Sequence, residues 1–169
     1  MPLSTAYLAL GSNLGDRAAL LRGALISLER GGAVRVVAES SVYETAPVGG
    51  PEQPDYLNMV VAVETSLNPE ALLERCLAAE AEQGRVRRER WGARTLDIDL
   101  LIYGGASMQT ERLTLPHPRM TERAFVLVPL AEIAPGLRLG AANAAEWAAR
   151  ADCSGLRKLG ALANCRTAE

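Results

Sequence analysis

Apolar residues recur along this chain with two periods, and the periods divide it into strands and helices. The run TAYLAL (5–10) stops at Gly11 and the turn GSNLGD, as a buried strand would. Residues 17–29 place Leu20, Leu21, Ala24, Leu25 and Leu28 three and four apart, the spacing of one helix face. AVRVVAESSVYET (33–45) and YLNMVVAVET (56–65) alternate and are rich in valine, so each predicts a strand. Asn68 then precedes Pro69, and Leu72, Leu73, Cys76 and Leu77 mark the apolar face of a second helix. TLDIDLLIYGG (95–105) predicts a fourth strand ending in a double glycine. Thr121 is placed to cap a helix through ERAFVLVPLAEIAP, and the alanine-rich tail from about 143 onward predicts further helix.

This β-α-β-β-α-β order is the split pattern of ferredoxin-like α+β folds: an antiparallel sheet with helices on its faces. Residues 136–169 then form a helical C-terminal extension. At 169 residues the chain is expected to be one domain, 1–169, with enough length to bury a core. One connection stands out. APVGGPEQPD (46–55), rich in proline and glycine, is long for a hairpin loop, and loops of this kind are commonly lids or binding insertions.

Composition removes several function classes. A formal net charge of -2 argues against nucleic-acid binding by bulk charge, so any polyanion site must be a local patch. No apolar run approaches the roughly 20 residues that span a bilayer, and the N-terminus lacks the pattern of a signal peptide. Cys76, Cys153 and Cys165 are an odd count without C-x-x-C spacing, which fits free thiols in a cytoplasmic protein. His117 is the only histidine, which excludes multi-histidine metal sites. Lys158 is the only lysine, and no glycine-rich stretch precedes it as a P-loop would require.

The patch is in RVRRERWGARTLDID (85–99). Arg85, Arg87, Arg88, Arg90 and Arg94 surround Trp91, and Asp97 and Asp99 follow. On a strand the two aspartates point the same way, with Cα atoms about 6.5–7 Å apart, while Leu96, Ile98, Leu100 and Ile102 face a core. Such a pair either points at water or shares a cation, and Mg²⁺ accepts hard oxygens when substrate phosphates complete its shell. Guanidinium forks suit phosphate oxygens; a solvated basic loop is the alternative for the arginines. Arg112, Thr114, His117 and Arg123 form a second polar set. Tyr56 and Asn58 share one strand face, a ring and an amide able to stack a flat heterocycle and bond its edge, or else a tyrosine packed on a helix.

LGSNLGDR, YETAPVGGPEQPDYLNMVVAVET, GRVRRERWGARTLDIDLLIYG and LTLPHPRMTERAFVLVPLAEIAP together resemble, in order and spacing over residues 5–135, the 6-hydroxymethyl-7,8-dihydropterin pyrophosphokinase family of folate biosynthesis. The resemblance implies transfer of diphosphate from ATP to the pterin's hydroxymethyl oxygen, with AMP released. It implies that Asp97 and Asp99 bind two Mg²⁺ ions, that Tyr56 and Phe125 sandwich the pterin, and that Thr45, Val48 and Asn58 meet its edge close to Gly11. Arg85, Arg94, Arg112, His117 and Arg123 would hold the triphosphate, with Arg85 and Arg94 catalytic together with the two aspartates. Arg87 and Trp91 would close over both substrates, while Leu73, Leu100 and Thr114 line the nucleotide pocket and Glu80 joins the site.

Both 46–55 and 84–94 are expected to act as lids; no residue stands out as a general base, and metal-assisted deprotonation involving Asp97 is the expectation. Ala93 stands where the family often has proline, and Pro118 where some members carry an aromatic. The partners implied are the two small molecules, with no nucleic acid and no membrane. Two rivals remain at this point. One is a ferredoxin-like RNA-binding module using the arginines, against which the chain lacks strand aromatics for stacking bases. The other is a metal-dependent phosphodiesterase using the same carboxylates.

Overall fold

The structure is a computed structural model that describes residues 2–13, 16–45, 55–83 and 96–165. In chain order it contains β1 (Ser4–Ser12), α1 (Arg17–Glu29), β2 (Val34–Glu39), β3 (Val42–Thr45), β4 (Tyr56–Thr65), α2 (Pro69–Glu82) and β5 (Asp97–Tyr103). There follow β6 (Met108–Gln109), β7 (Thr114–Leu115), α3 (Ala124–Ile133), β8 (Arg138–Leu139), β9 (Ala142–Asn143), α4 (Ala144–Arg150) and β10 (Leu156–Gly160). The result is a mixed α/β fold built on one antiparallel sheet, with strand order β10-β3-β4-β1-β5 and β2 also paired to β4.

Strand alternation sends two apolar sets in opposite directions from this sheet. Ala6, Leu8 and Leu10 of β1 and Leu57, Met59, Val61 and Val63 of β4 meet Leu21, Leu28, Leu72 and Cys76 from α1 and α2. On the other face Tyr7, Ala9 and Val60 meet Val126, Leu127 and Leu130 of α3, with Trp147 of α4 behind them. β4 is therefore buried along most of its length on both faces.

The helices begin where their caps dictate. Asp16 accepts from Ala19 N at 3.1 Å to start α1, and Asn68 accepts from Ala71 N at 2.8 Å to start α2, with Pro69 in its first turn. The buried face of α2 is Leu72, Cys76 and Ala79, one step round from expectation, and Leu77 is exposed. Thr121 does not cap α3. It sits in a 3-10 turn over Met120–Glu122, and Arg123 occupies the N-cap position.

Two further expectations change. The valine-rich segment 33–45 is not one strand: Ser40 N donates to Val60 O at 2.9 Å and Ser40 Oγ accepts from Val60 N at 2.9 Å, which breaks the ladder between β2 and β3 while both stay on β4. The tail is also not simply helical. After the seven-residue α4, started by a reciprocal Asn143–Glu146 capping box, Leu156–Gly160 adds β10 to the β3 edge. Sequence period could not reveal this, because LRKLG is too short to show one.

Leu21 is fully buried between α1 and the sheet. Leu21→Ala is expected to lower unfolding free energy by about 2–5 kcal/mol, read from the midpoint of urea unfolding.

Candidate active site

The registers of three strands set out a row of functional groups. Gly11 pairs with Asn58 on one side and Asp97 on the other, and the neighbouring row is Val60, Ala9 and Asp99. All six residues lie on the α3 side, by alternation from Tyr7, Ala9 and Val60. Apolar packing under α3 therefore reaches the Val60–Ala9 row, and polar residues take over one row further on.

Gly11 is small for a local reason. A Cβ there would lie 2.8 Å from Asn58 Oδ1 and 3.8 Å from Tyr56 Cδ1. The bare strand lets the Asn58 amide lie across it. That amide is buried, and its Nδ2 donates to Thr45 Oγ1 at 2.8 Å, across paired strands that also set Thr45 opposite Tyr56. The expected pterin set Gly11, Thr45, Tyr56 and Asn58 is thus gathered at one end of one sheet face.

Asp97 is half-buried and Asp99 exposed, with Ile98 and Leu100 buried behind them. β5 is the last strand of the sheet, so its outer backbone groups need partners. Glu80, only 5% exposed, accepts from Ile98 N at 2.7 Å, and Leu101 O accepts from His117 N at 2.8 Å. The peptide between the two aspartates is held from the α2 side by a buried carboxylate. One expectation is corrected here. The ladder with β1 slips between Tyr7 and Leu8 and skips Leu101, so Ile102 joins Leu101 in the α3 core instead of following Leu96, Ile98 and Leu100.

His117 is held by its neighbours. Its Nδ1 accepts from Arg119 N at 3.2 Å, which leaves Nε2 as the N–H donor of the neutral ring. Burial pushes its pKa below the ordinary 6.5; Asp99 pulls the other way, and Arg123 and Arg119 add to the depression. Asp99, His117 and Arg123 thus share one electrostatic neighbourhood. The Arg123 guanidinium lies 5.7 Å from the centre of the Phe125 ring, which is half-buried at the margin of the α3 core.

A separate group lies around the β5 edge toward α2. Leu100 is buried in the α1/α2 core, Leu73 packs partly against it, and Thr114 of β7 is half-buried beside buried Leu113 and Leu115. Arg112 approaches Glu74 of α2 at 3.9 Å and is otherwise exposed. Val48, Arg85, Arg87, Trp91 and Arg94 lie outside the described residues, as do 46–54 of the first expected lid and all of the second.

Sequence reading missed Glu132. It accepts from Ser41 N at 3.1 Å, Ser41 Oγ at 2.7 Å and Tyr43 Oη at 2.8 Å, tying α3 to the strand that carries Thr45. Burial and the bond to Glu132 push the Tyr43 pKa well above the ordinary phenol value. Burial opposes ionisation of Glu132, yet the donors from Ser41 and Tyr43 hold its pKa low. A glutamate in an apolar helix was the only available signal.

Paired carboxylates on one strand, with a histidine and an arginine in the same electrostatic neighbourhood and a buried amide in the Asp97 row across β1, mark the candidate site of this mixed α/β protein. The chain belongs to the 7,8-dihydro-6-hydroxymethylpterin-pyrophosphokinase (HPPK) family, whose model matches residues 7–135. It is similar to the 2-amino-4-hydroxy-6-hydroxymethyldihydropteridine pyrophosphokinase of Methylorubrum extorquens, 52% identical over 157 residues that cover 93% of this chain and 99% of that one. The Bacillus subtilis protein of the same name is 54% identical over 128 residues, 76% of this chain and 77% of that one. Among solved structures, wild-type Plasmodium falciparum HPPK-DHPS with pteroate shares the fold at a TM-score of 0.70 and 13% identity. The match covers 88% of this chain and 44% of that one.

Because the folded state lowers the His117 pKa, the unfolded chain binds more protons just below pH 6.5, and stability falls as pH drops through that window. Urea midpoints measured from pH 7.5 to 5 are expected to show this loss, with a shallower slope for His117→Gln.

Proposed function

We propose that this protein transfers a diphosphoryl group from ATP to 6-hydroxymethyl-7,8-dihydropterin, giving AMP and the pterin diphosphate in folate biosynthesis. The observation that carries this reading is the Asn58–Gly11–Asp97 row, which sets an edge-recognising amide across one intervening strand from a carboxylate pair. Family membership supplies the reaction.

Tyr56 and Phe125 take the faces of the pterin, and Asn58, Thr45 and Val48 its edge, with Gly11 leaving room beside them. His117, Arg112 and Arg123, with Arg85 and Arg94, neutralise the phosphates, and neutral His117 does so as an Nε2–H donor. Leu73, Leu100 and Thr114 line the nucleotide side. Glu80 acts on that side by fixing the peptide between Asp97 and Asp99. Arg87 and Trp91 lie in the segment that closes over both substrates.

The donor set fits Mg²⁺. Asp97 and Asp99 are hard oxygen ligands on one face, and no group of three possible metal ligands exists among the described residues, so phosphate and water would complete the shell. Two Mg²⁺ ions held there would supply positive charge to the phosphates and lower the pKa of the alcohol. In the transfer itself the pterin hydroxymethyl oxygen bonds to the β-phosphorus, the bond from that phosphorus to the α–β bridging oxygen breaks, and AMP leaves with it. In this reading Asp97 takes the hydroxyl proton. The arginines stabilise charge on the equatorial oxygens, and positioning carries most of the rate.

The finer architecture is read as ferredoxin-like, with residues 1–169 as one domain. Counting β2 and β3 as one broken strand, the order from the β5 edge is fourth, first, third, second, and β10 extends it. No helix among the described residues is long and apolar enough to cross a membrane. Free Cys76, Cys153 and Cys165 fit a reducing cytoplasm. An acidic pair on the sheet face disfavours the RNA-binding alternative by repelling a phosphate backbone.

With MgATP and the pterin, AMP should appear one-for-one with pterin diphosphate and only when both substrates and Mg²⁺ are present. ADP as the nucleotide product would overturn the reading. Asp97→Ala and Asp99→Ala are each expected to lower kcat by about a hundredfold or more; near-normal turnover of either would remove the metal assignment.

A further inference from the structure

Glu44 has no part in the site as described, yet it holds together the segments that frame it. Its side chain, 12% exposed, lies between two guanidinium groups on the α1 side of the sheet. Arg17 Nη1, from the first residue of α1, donates to Glu44 Oε2 at 2.7 Å, and Arg157 of β10 donates to Glu44 Oε1. Register makes the second contact a direct cross-strand pair, because Arg157 faces Glu44 and Leu156 faces Thr45. The same Arg17 Nη1 also donates to the Asp55 carbonyl at 2.9 Å.

Each of these residues adjoins a group on the opposite face. Glu44 precedes Thr45, Asp55 precedes Tyr56, and Thr45 and Tyr56 bracket the connection whose ends the Arg17 fork thereby joins. We infer that the Arg17–Glu44–Arg157 clamp is the positioning device of the pterin site, with Glu44 as its centre. It fixes β3 against the start of β4 from behind, and so sets where the Thr45 hydroxyl, the Asn58 amide bonded to it and the Tyr56 ring stand. The C-terminal strand, beyond the family-matched residues 7–135, contributes to substrate selection through Arg157. Arg17 has the larger share. It binds both Glu44 and the Asp55 carbonyl and is 25% exposed, whereas Arg157 is 71% exposed and its pair with Glu44 is more fully screened by water.

This inference rests on the proposed pterin kinase reading, and the two fail separately. The experiment compares wild type with Glu44→Gln, Glu44→Ala, Arg17→Ala and Arg157→Ala, measuring KM for each substrate, kcat and thermal midpoint. A wild-type protein that neither binds nor turns over 6-hydroxymethyl-7,8-dihydropterin sinks the functional reading itself. Given wild-type activity, Glu44→Ala and Arg17→Ala are expected to raise KM for the pterin about tenfold, with KM for ATP within about twofold of wild type. Arg157→Ala should give a smaller rise of the same kind, and the Arg17→Ala/Glu44→Ala double variant should be little worse than either single one. Glu44→Gln keeps an acceptor for Arg17 and is expected to fall between wild type and Glu44→Ala. It also keeps the test open if Glu44→Ala does not fold. Equal changes in both KM values, or a lowered thermal midpoint with the pterin KM unchanged, would make the clamp purely structural and overturn the inference.

Discussion

Everything in this site depends on β1 being narrow where it passes between β4 and β5. Neighbouring strands lie about 4.8 Å apart, so groups on β4 and β5 that flank one residue of β1 are separated by about 9.5 Å. At Gly11 that intervening residue has no side chain, and Asn58 leans into the space. At Ala9 it has a methyl group, which belongs to the α3 core. One strand therefore does two jobs within three residues. It closes the apolar layer under α3, then leaves a shallow floor with an amide on one side and a carboxylate on the other.

That floor is useful only if its edges hold still. β5 is the last strand of the sheet and would otherwise present loose backbone groups next to the aspartates. Glu80 takes the Ile98 amide and the His117 amide takes the Leu101 carbonyl, so the strand edge is satisfied by neighbours that themselves adjoin the site. The opposite side is secured through Glu132, which accepts from Ser41, just before β3, and from Tyr43 of β3. Glu80, which is buried, and Glu132, which is exposed, thus serve as anchors, while the two aspartates of β5 stand on the site face. The difference lies in what surrounds each: backbone and phenol donors for the anchors, and for Asp99 an exposed position near His117 and Arg123.

Much of this was legible in the residues. The Val-rich alternation located β4 and its Tyr56–Asn58 face, the Asn68–Pro69 pair located the start of α2, and the D-x-D pattern located the carboxylates. What periodicity could not show was set by contacts distant in sequence. The bulge at Leu101 depends on how β1 pairs, which moves Ile102 to the other face. The break at Ser40 depends on Val60 across the ladder, and β10 exists only because the β3 edge is there to receive it. Arg17, Glu44, Arg157 and Glu132 looked like ordinary surface charge, since their meaning comes from partners 27 to 113 residues away. The resemblance named site positions, but it did not reveal which residues hold those positions in place.

The most direct measurement is a crystal structure of the protein with 6-hydroxymethyl-7,8-dihydropterin, Mg²⁺ and α,β-methylene-ATP, in which the bond to be broken is blocked. The pterin should lie between Tyr56 and Phe125 with its edge on Asn58, and its hydroxymethyl group should point across Gly11 toward metal held by Asp97 and Asp99. A pterin bound elsewhere, or metal held away from both aspartates, would contradict the role assigned to the Asn58–Gly11–Asp97 row.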